Sequence, residues 1–401
     1  MALHYEAVDA ADAVESVSAP CPLSSNGFCS LNGACRKGSC SCFSGFIGES
    51  CINAVICPED LSTCTSTTCD PVCLQSQNDV IVVSESGDDT QGTGERMDTC
   101  TTGTDPKAVK SLRRALELAT SGQTILLYPG VYSGADNCGV TVSTAGLLIR
   151  GLRGPIPTII DCKNLLRGLI ITSSAEPNQL EGLTLQNTLA SNDGGAIRAS
   201  DASVRMKNMV ITNANSHQNG GAIYGYQSQL VFTNVEITSC SAAKGGAIFL
   251  DGSRLTLDHS VVKLCSASQG GGIYAQNTVS ISGDKDSKLW KNSASYNGGG
   301  LCVAGIFTGT ALNLLENTAL VGAGLVGTSG SSTLSDVNIE GNHAANDGGG
   351  IALLNTANLV LHNSPIQTNH AGRYGGGLYM VSNGSFENSL ASTILGCTAG
   401  T

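Results

Sequence analysis

Two aspartates, Asp251 and Asp258, are of a type that could cleave a glycosidic bond, one carboxyl protonating the leaving oxygen and the other acting as base or nucleophile. His343 and His370 each follow an asparagine, and two imidazoles brought together could hold a metal ion. Cys240 and Cys265 suit either a disulfide or a pair of buried thiols. Asp88 and Asp89 sit in Gly87-Asp88-Asp89-Thr90-Gln91-Gly92, where turn formation accounts for them. Asn383-Gly384-Ser385 forms an acceptor for N-glycosylation. None of these groups does chemistry alone, so their spacing has to be set against the elements that carry them.

Those elements repeat. Gly-Gly-[Ala/Gly]-[Ile/Leu] recurs, once as Gly-Ala-Gly-Leu, with its aliphatic residue at Ile197, Ile223, Ile248, Ile273, Leu301, Leu325, Ile351 and Leu378. The steps lie between 24 and 28 residues. An aliphatic-x-x-[Asn/Cys]-x-Ala phrase precedes most copies, as in Leu289-Trp290-Lys291-Asn292-Ser293-Ala294 and Ile339-Glu340-Gly341-Asn342-His343-Ala344. Such a period is that of one solenoid coil of short strands and turns, with coils stacking about 4.8 Å apart. The same position in every coil then makes a row along the axis. Ala242, Ala267, Ala294, Ala319, Ala344 and Ala371 are expected at a tight corner. Asn187, Asn213, Asn292, Asn317, Asn342 and Asn369 are expected to form an amide ladder. The paired motifs resemble the GGA[ILV] and FxxN repeats of polymorphic outer-membrane proteins, with an aliphatic residue in place of Phe. The resemblance implies a surface-exposed parallel β-helix.

On this register His343 and His370 stack on adjacent coils, in a row otherwise read as Thr188, Ser241, Ser266, Ser293 and Thr318. That is an ordinary polar surface row, so the histidines are low-ranking metal candidates and no metal is expected. Asp251 is expected between Tyr226 and Gln276, and Asp258 between Thr233 and Gly283, so neither gains an acidic partner. No catalytic residue is therefore assigned. The recurrent glycines lack the βαβ context of a nucleotide site, and no cofactor is expected.

Thirteen of the 17 cysteines lie in residues 1–162, which points to an oxidising compartment. Six of them, Cys21, Cys29, Cys35, Cys40, Cys42 and Cys51, end in the phrase Cys42-Phe43-Ser44-Gly45-Phe46-Ile47-Gly48-Glu49-Ser50-Cys51. Spacing and phrase together resemble an EGF-like domain. The resemblance implies the pairs Cys21–Cys35, Cys29–Cys40 and Cys42–Cys51, bridges that replace a core too small to hold so short a segment. The acidic run of calcium-binding EGF modules is missing before Cys21, so no calcium is expected there.

From Val80 the texture becomes that of strands. Asp105 and Pro106 are expected as N-cap and first residue of a helix carrying Val109, Leu112, Leu116 and Ala119 on one stripe, ended at Gly122. The strand, acidic turn, helix and Ile125-Leu126-Leu127-Tyr128-Pro129-Gly130-Val131-Tyr132 strand resemble the start of pectin-lyase-like β-helices, where a short helix covers the first coil.

Charged residues are 13%, aromatics 4%, and the net charge is -11, which suits a core of stacked aliphatic rows and excludes phosphate-backbone binding. No stretch reaches about 18 uninterrupted apolar residues, so no direct membrane span is expected. Residues 1–20 lack a signal-peptide core, and the last repeat phrase, Ile394-Leu395-Gly396-Cys397-Thr398-Ala399, stops before its glycines. The chain is therefore expected to be a fragment of a secreted or cell-surface protein. The organisation expected is a disordered acidic leader at 1–20, an EGF-like module at 21–51, a Cys-rich linker at 52–77, and an all-β, right-handed parallel β-helix with an N-terminal helix cap at 78–401. The function expected is non-enzymatic adhesion or recognition of an extracellular protein or glycan. A carbohydrate-active enzyme, or a polysaccharide-binding protein, of the pectin-lyase-like fold is the alternative.

Overall fold

The computed structural model describes residues 79–95, 107–172, 176–381, 384–389 and 392–400, and the backbone of short strands between residues 23 and 54. The longest described part is a parallel β-solenoid of about 10 turns. One coil shows the plan. Ile248–Asp251, Arg254–Asp258, Val261–Lys263 and Ser266–Gln269 are four short strands. Each pairs in parallel with the equivalent strand one coil away, Ile248 opposite Ile223 and Ile273, and Ala267 opposite Ala242 and Ala294.

Strand alternation puts one side chain in two inside the coil. Ile248, Leu250, Leu255, Leu257 and Val262 all point in and are buried, and their counterparts on every coil join one continuous aliphatic core. Outside that core, Tyr224, Phe249 and Tyr274 stack face to face at 5.4 and 5.2 Å, and the row continues through Cys302, Val326 and Ala352. The expected alanine row is in register, and Ala294, Ala319, Ala344 and Ala371 make a buried cluster of their own.

Single left-handed residues turn the corners. Between the second and third strands these are Asn208, Asn234, His259, Ala311, Asp336 and Asn363, all with φ between 45° and 56°. Between the third and fourth they include Asn187, Asn213, Ser239, Leu264, Lys291, Glu316 and Thr368. Asparagine tolerates this conformation better than other non-glycine residues, which is why it is frequent at both corners.

This corrects the ladder expectation. Asn292, Asn317, Asn342 and Asn369 are fully buried and in one row. Asn187 and Asn213 lie one position earlier, on the corner, with Asn213 donating to Asn187 at 3.4 Å. Thr188 and Ala214 hold the ladder position in those coils, so Thr188 does not belong to the histidine row, which Leu189 and Asn215 begin.

The helix also starts later than expected. It spans Leu112–Leu118, with Ser111 as N-cap, its Oγ accepting from the Arg114 N–H at 3.2 Å. Val109 is still extended and bridges to Val83, so the backbone cannot turn helical there. Asp89 accepts the N–H groups of Lys110 and Ser111, while Asp88 accepts from Thr90 and Gln91 within its turn. Leu112 and Ala115 bury against the first coil. A disulfide the spacing did not suggest, Cys138–Cys162, ties one turn to the next with Cα atoms 5.7 Å apart.

Candidate functional site

The sequence-selected aspartates separate. Asp251 is buried between Tyr226 and Gln276, as its register requires. Its two oxygens accept amide hydrogens from Gln276 at 2.8 Å and Asn277 at 2.5 Å. A carboxylate so held fixes the turn and has no acidic partner to work with.

Asp258 departs from expectation. Arg254 pairs with Ser280 and Thr256 with Ser282, a step of 26 residues where the first strand steps by 25. Continued along the strand, that register sets Asp258 beside Asp284, not Gly283. His259 stands between them. Its Nδ1 is 2.6 Å from Asp258 Oδ1 and 3.0 Å from Asp284 Oδ2, and its Nε2 is 3.4 Å from Asp286. Ligand atoms of Asp258, His259 and Asp284 lie within 4.8 Å of one another, a grouping of three metal-ligating side chains found nowhere else among the described residues. Asp284 also accepts from the Ser287 hydroxyl and the His259 and Asp286 N–H groups. Burial pushes its carboxyl up, but the Ser287 hydroxyl and the His259 ring outweigh this and hold it below the usual carboxylate value. Counting one extra residue at the corner of this long coil would have exposed the pairing in the sequence.

His343 and His370 meet as expected, ring centroids 4.8 Å apart and tilted by 34°. His370 Nδ1 is 2.7 Å from Thr398 Oγ1. Ser293, Thr318 and His343 line a shallow depression with Ala294 and Leu320, and no carboxylate or thiol joins them. Cys240 and Cys265 are buried free thiols, with Cys302 and Cys397 also unbridged.

A cleft of about 640 Å³ crosses several coils at the corner between the first and second strands. Gln227, Gln229, Arg254, Asn277, Thr278 and Thr308 supply amides, hydroxyls and one guanidinium to its walls, beside the exposed Ile306. No Asp or Glu lines it. Asp258 stands at the far end of the strand that Arg254 begins, so the acidic grouping and the cleft are separate places. The cleft can hydrogen-bond a polar ligand; it holds no acid–base pair.

Another charged knot is structural. Asp161 accepts from Lys163, from the Lys163 N–H, and from the Gln186 and Asn187 amides of the next coil.

Comparison with known proteins reaches part of the chain. The family model of the Teneurin-like EGF domain matches residues 26–54. There Gly33–Arg36 pairs antiparallel with Ser39–Cys42, setting Cys35 opposite Cys40, and Phe46–Ile47 pairs with Asn53–Ala54. The match leaves out Cys21, and the three expected disulfides lie outside the described residues, as does Asn383. No curated protein matches the chain. Among solved structures it is similar to the catalytic domain of a GH87 alpha-1,3-glucanase in complex with nigerose, at 13% identity and a TM-score of 0.31. That likeness covers 73% of this chain, and the chain spans 66% of the length of that structure. No helix among the described residues is long and apolar enough to cross a membrane. The chain thus joins a segment similar to an EGF-like domain to a parallel β-helix, whose identity as such rests on its own strand pairing.

Proposed function

We propose that this chain is a non-enzymatic extracellular or cell-surface protein, an adhesion or recognition scaffold with repeats of the polymorphic outer-membrane-protein kind. Its cleft between Gln227 and Thr308 takes an extended, hydroxyl-rich ligand, a glycan. One observation carries this reading: the cleft offers amides, hydroxyls and a guanidinium in register across coils, with no carboxylate among them. Hydrogen-bonding groups without an acid–base pair suit holding a sugar, not cutting it. The EGF-like match supports an extracellular setting.

A second reading, a carbohydrate-active enzyme, is favoured by Asp258 and Asp284, two carboxylates from adjacent coils with ligand atoms within 4.8 Å. Retaining glycosidases place theirs about 5–5.5 Å apart. Against it, His259 fills the gap between the two and Asp284 is saturated by its own turn.

The test measures binding and cleavage on one preparation. Oligosaccharide arrays and titration calorimetry are expected to find a glycan whose affinity falls at least about tenfold in Arg254→Ala or Gln229→Ala, the loss of a charge-assisted or neutral hydrogen bond or two. Glycan binding untouched by both variants would remove the cleft from the argument. Release of reducing ends, abolished by Asp258→Ala or Asp284→Ala, would install the enzyme reading instead.

A further inference from the structure

We propose that Cys240 and Cys265 become a disulfide that joins two adjacent coils of the β-helix. The two occupy the ladder row, after Thr188 and Ala214 and before Asn292. Thr238 pairs with Lys263 and Ser241 with Ser266, so the cysteines between them are in register. In-register residues of neighbouring parallel strands lie roughly 4.8 Å apart, within the Cα separation of about 4.4–6.8 Å that a bridge spans.

Their sulfurs already occupy the place of the ladder amide. The Cys240 N–H donates to Cys265 Sγ at 3.4 Å, as the Asn292 N–H donates to Asn317 Oδ1. Each thiol donates to the carbonyl two residues before it, Thr238 and Lys263, at 3.2 Å. What these coils lack is the amide-to-amide bond that ties Asn292 to Asn317. A covalent link would supply that tie. The chain makes such a link elsewhere: Cys138 and Cys162, 24 residues apart, bridge successive turns. Cys302 has no such neighbour, since its row places Tyr274 and Val326 beside it.

Oxidation has to precede closure of the coil. Both sulfurs are buried in the folded coil, out of reach of an oxidant, and burial, with Cys265 beside it, also pushes the Cys240 thiol well up. In the open chain, one thiolate attacks a small-molecule disulfide such as glutathione disulfide, and the second displaces it from the mixed disulfide. The sulfur–sulfur bond forms, two protons leave, and the two electrons reduce the glutathione disulfide to two thiols.

The experiment folds the full chain with glutathione disulfide present, denatures it with iodoacetamide and no reductant, and maps its peptides by mass spectrometry. A Cys240–Cys265 cross-linked peptide that separates on reduction is expected, with Cys302 carrying the alkyl group. Alkylation of both Cys240 and Cys265, or a bridge from either to another cysteine, would overturn the proposal. If Cys265→Ala folds, Cys240 is expected to be alkylated in it; a Cys240 still blocked in that variant would likewise overturn the pairing.

Discussion

The side-chain amide of Asn292 donates to Oδ1 of Asn317 on the next coil at 3.2 Å, and Asn317 repeats the bond to Asn342 at 3.0 Å. Each amide also donates to a backbone carbonyl, Val262 for Asn292 and Leu289 for Asn317, so the row is satisfied without water. Asn317→Leu removes the acceptor of the Asn292 N–H and the donor to Leu289. Orphaned buried groups cost about 1–3 kcal/mol each, so a loss of a few kcal/mol is expected. Thr318→Leu, on the exposed side of the same corner, is expected to stay within about 0.5 kcal/mol. Chemical denaturation of both variants checks this, and equal midpoint shifts would contradict the inward placement of the row.

Glycines at two corners separate strain from crowding. Gly245 has φ 64°, and a methyl group there would lie 2.2 Å from the Ile248 carbonyl oxygen. Gly122 has φ 84° and open space. The left-handed conformation alone costs a non-glycine residue about 1–3 kcal/mol. Gly122→Ala is expected to lose about that much in a thermal melt and Gly245→Ala clearly more. An equal loss would mean that the Gly-Gly turn has room to spare.

Acid sensitivity is expected from Asp161. Burial favours its neutral form, but Lys163, Asn187 and Gln186 together hold the carboxyl far below its ordinary value. The folded-state value is depressed, so the stability it contributes is full above the unfolded value of about 3.9 and is lost as pH falls toward the folded one. Asp161→Asn is expected to lower stability at neutral pH and to flatten the decline below about pH 4. Urea titrations at several pH values read both effects; an unchanged acid slope would place the sensitivity elsewhere.

Purified chain is expected to release no reducing or unsaturated ends from pectate, polygalacturonate, alginate or neutral glucans, with or without calcium. Asp251 is locked by two amides and the cleft has no carboxylate. A rise in sugar ends abolished by Asp251→Ala or Asp258→Ala would reverse the scaffold reading.

The coil was legible because its rows are redundant. Ile248, Ile273 and Leu301 announce one position three times over, and a stacked aliphatic row has a single way to hide from water. Corners were not legible, because a left-handed turn and a buried amide ladder both favour asparagine. Asn213 and Asn292 look alike in the sequence and do opposite jobs one residue apart. Asp258 and Asp284 escaped for a related reason: one added residue between the first and second strands shifts the partners of the second strand by one. The Cys138–Cys162 bridge fell in coils whose repeat phrase is too worn to set a register, so nothing in the spacing marked it.

Because every coil is hydrogen-bonded to the next in parallel, the strand-to-strand bonds run along the length of the rod. A pull on the two ends therefore loads the coil-to-coil junctions in series, while within each junction all the bonds share the force. The rod's tensile strength is that of its poorest junction. Irregular pairing marks one candidate, where Val303 faces Gly327 but Ala304 faces Ser329. A rod built this way would yield by parting all at once at one such seam, leaving the coils on either side closed.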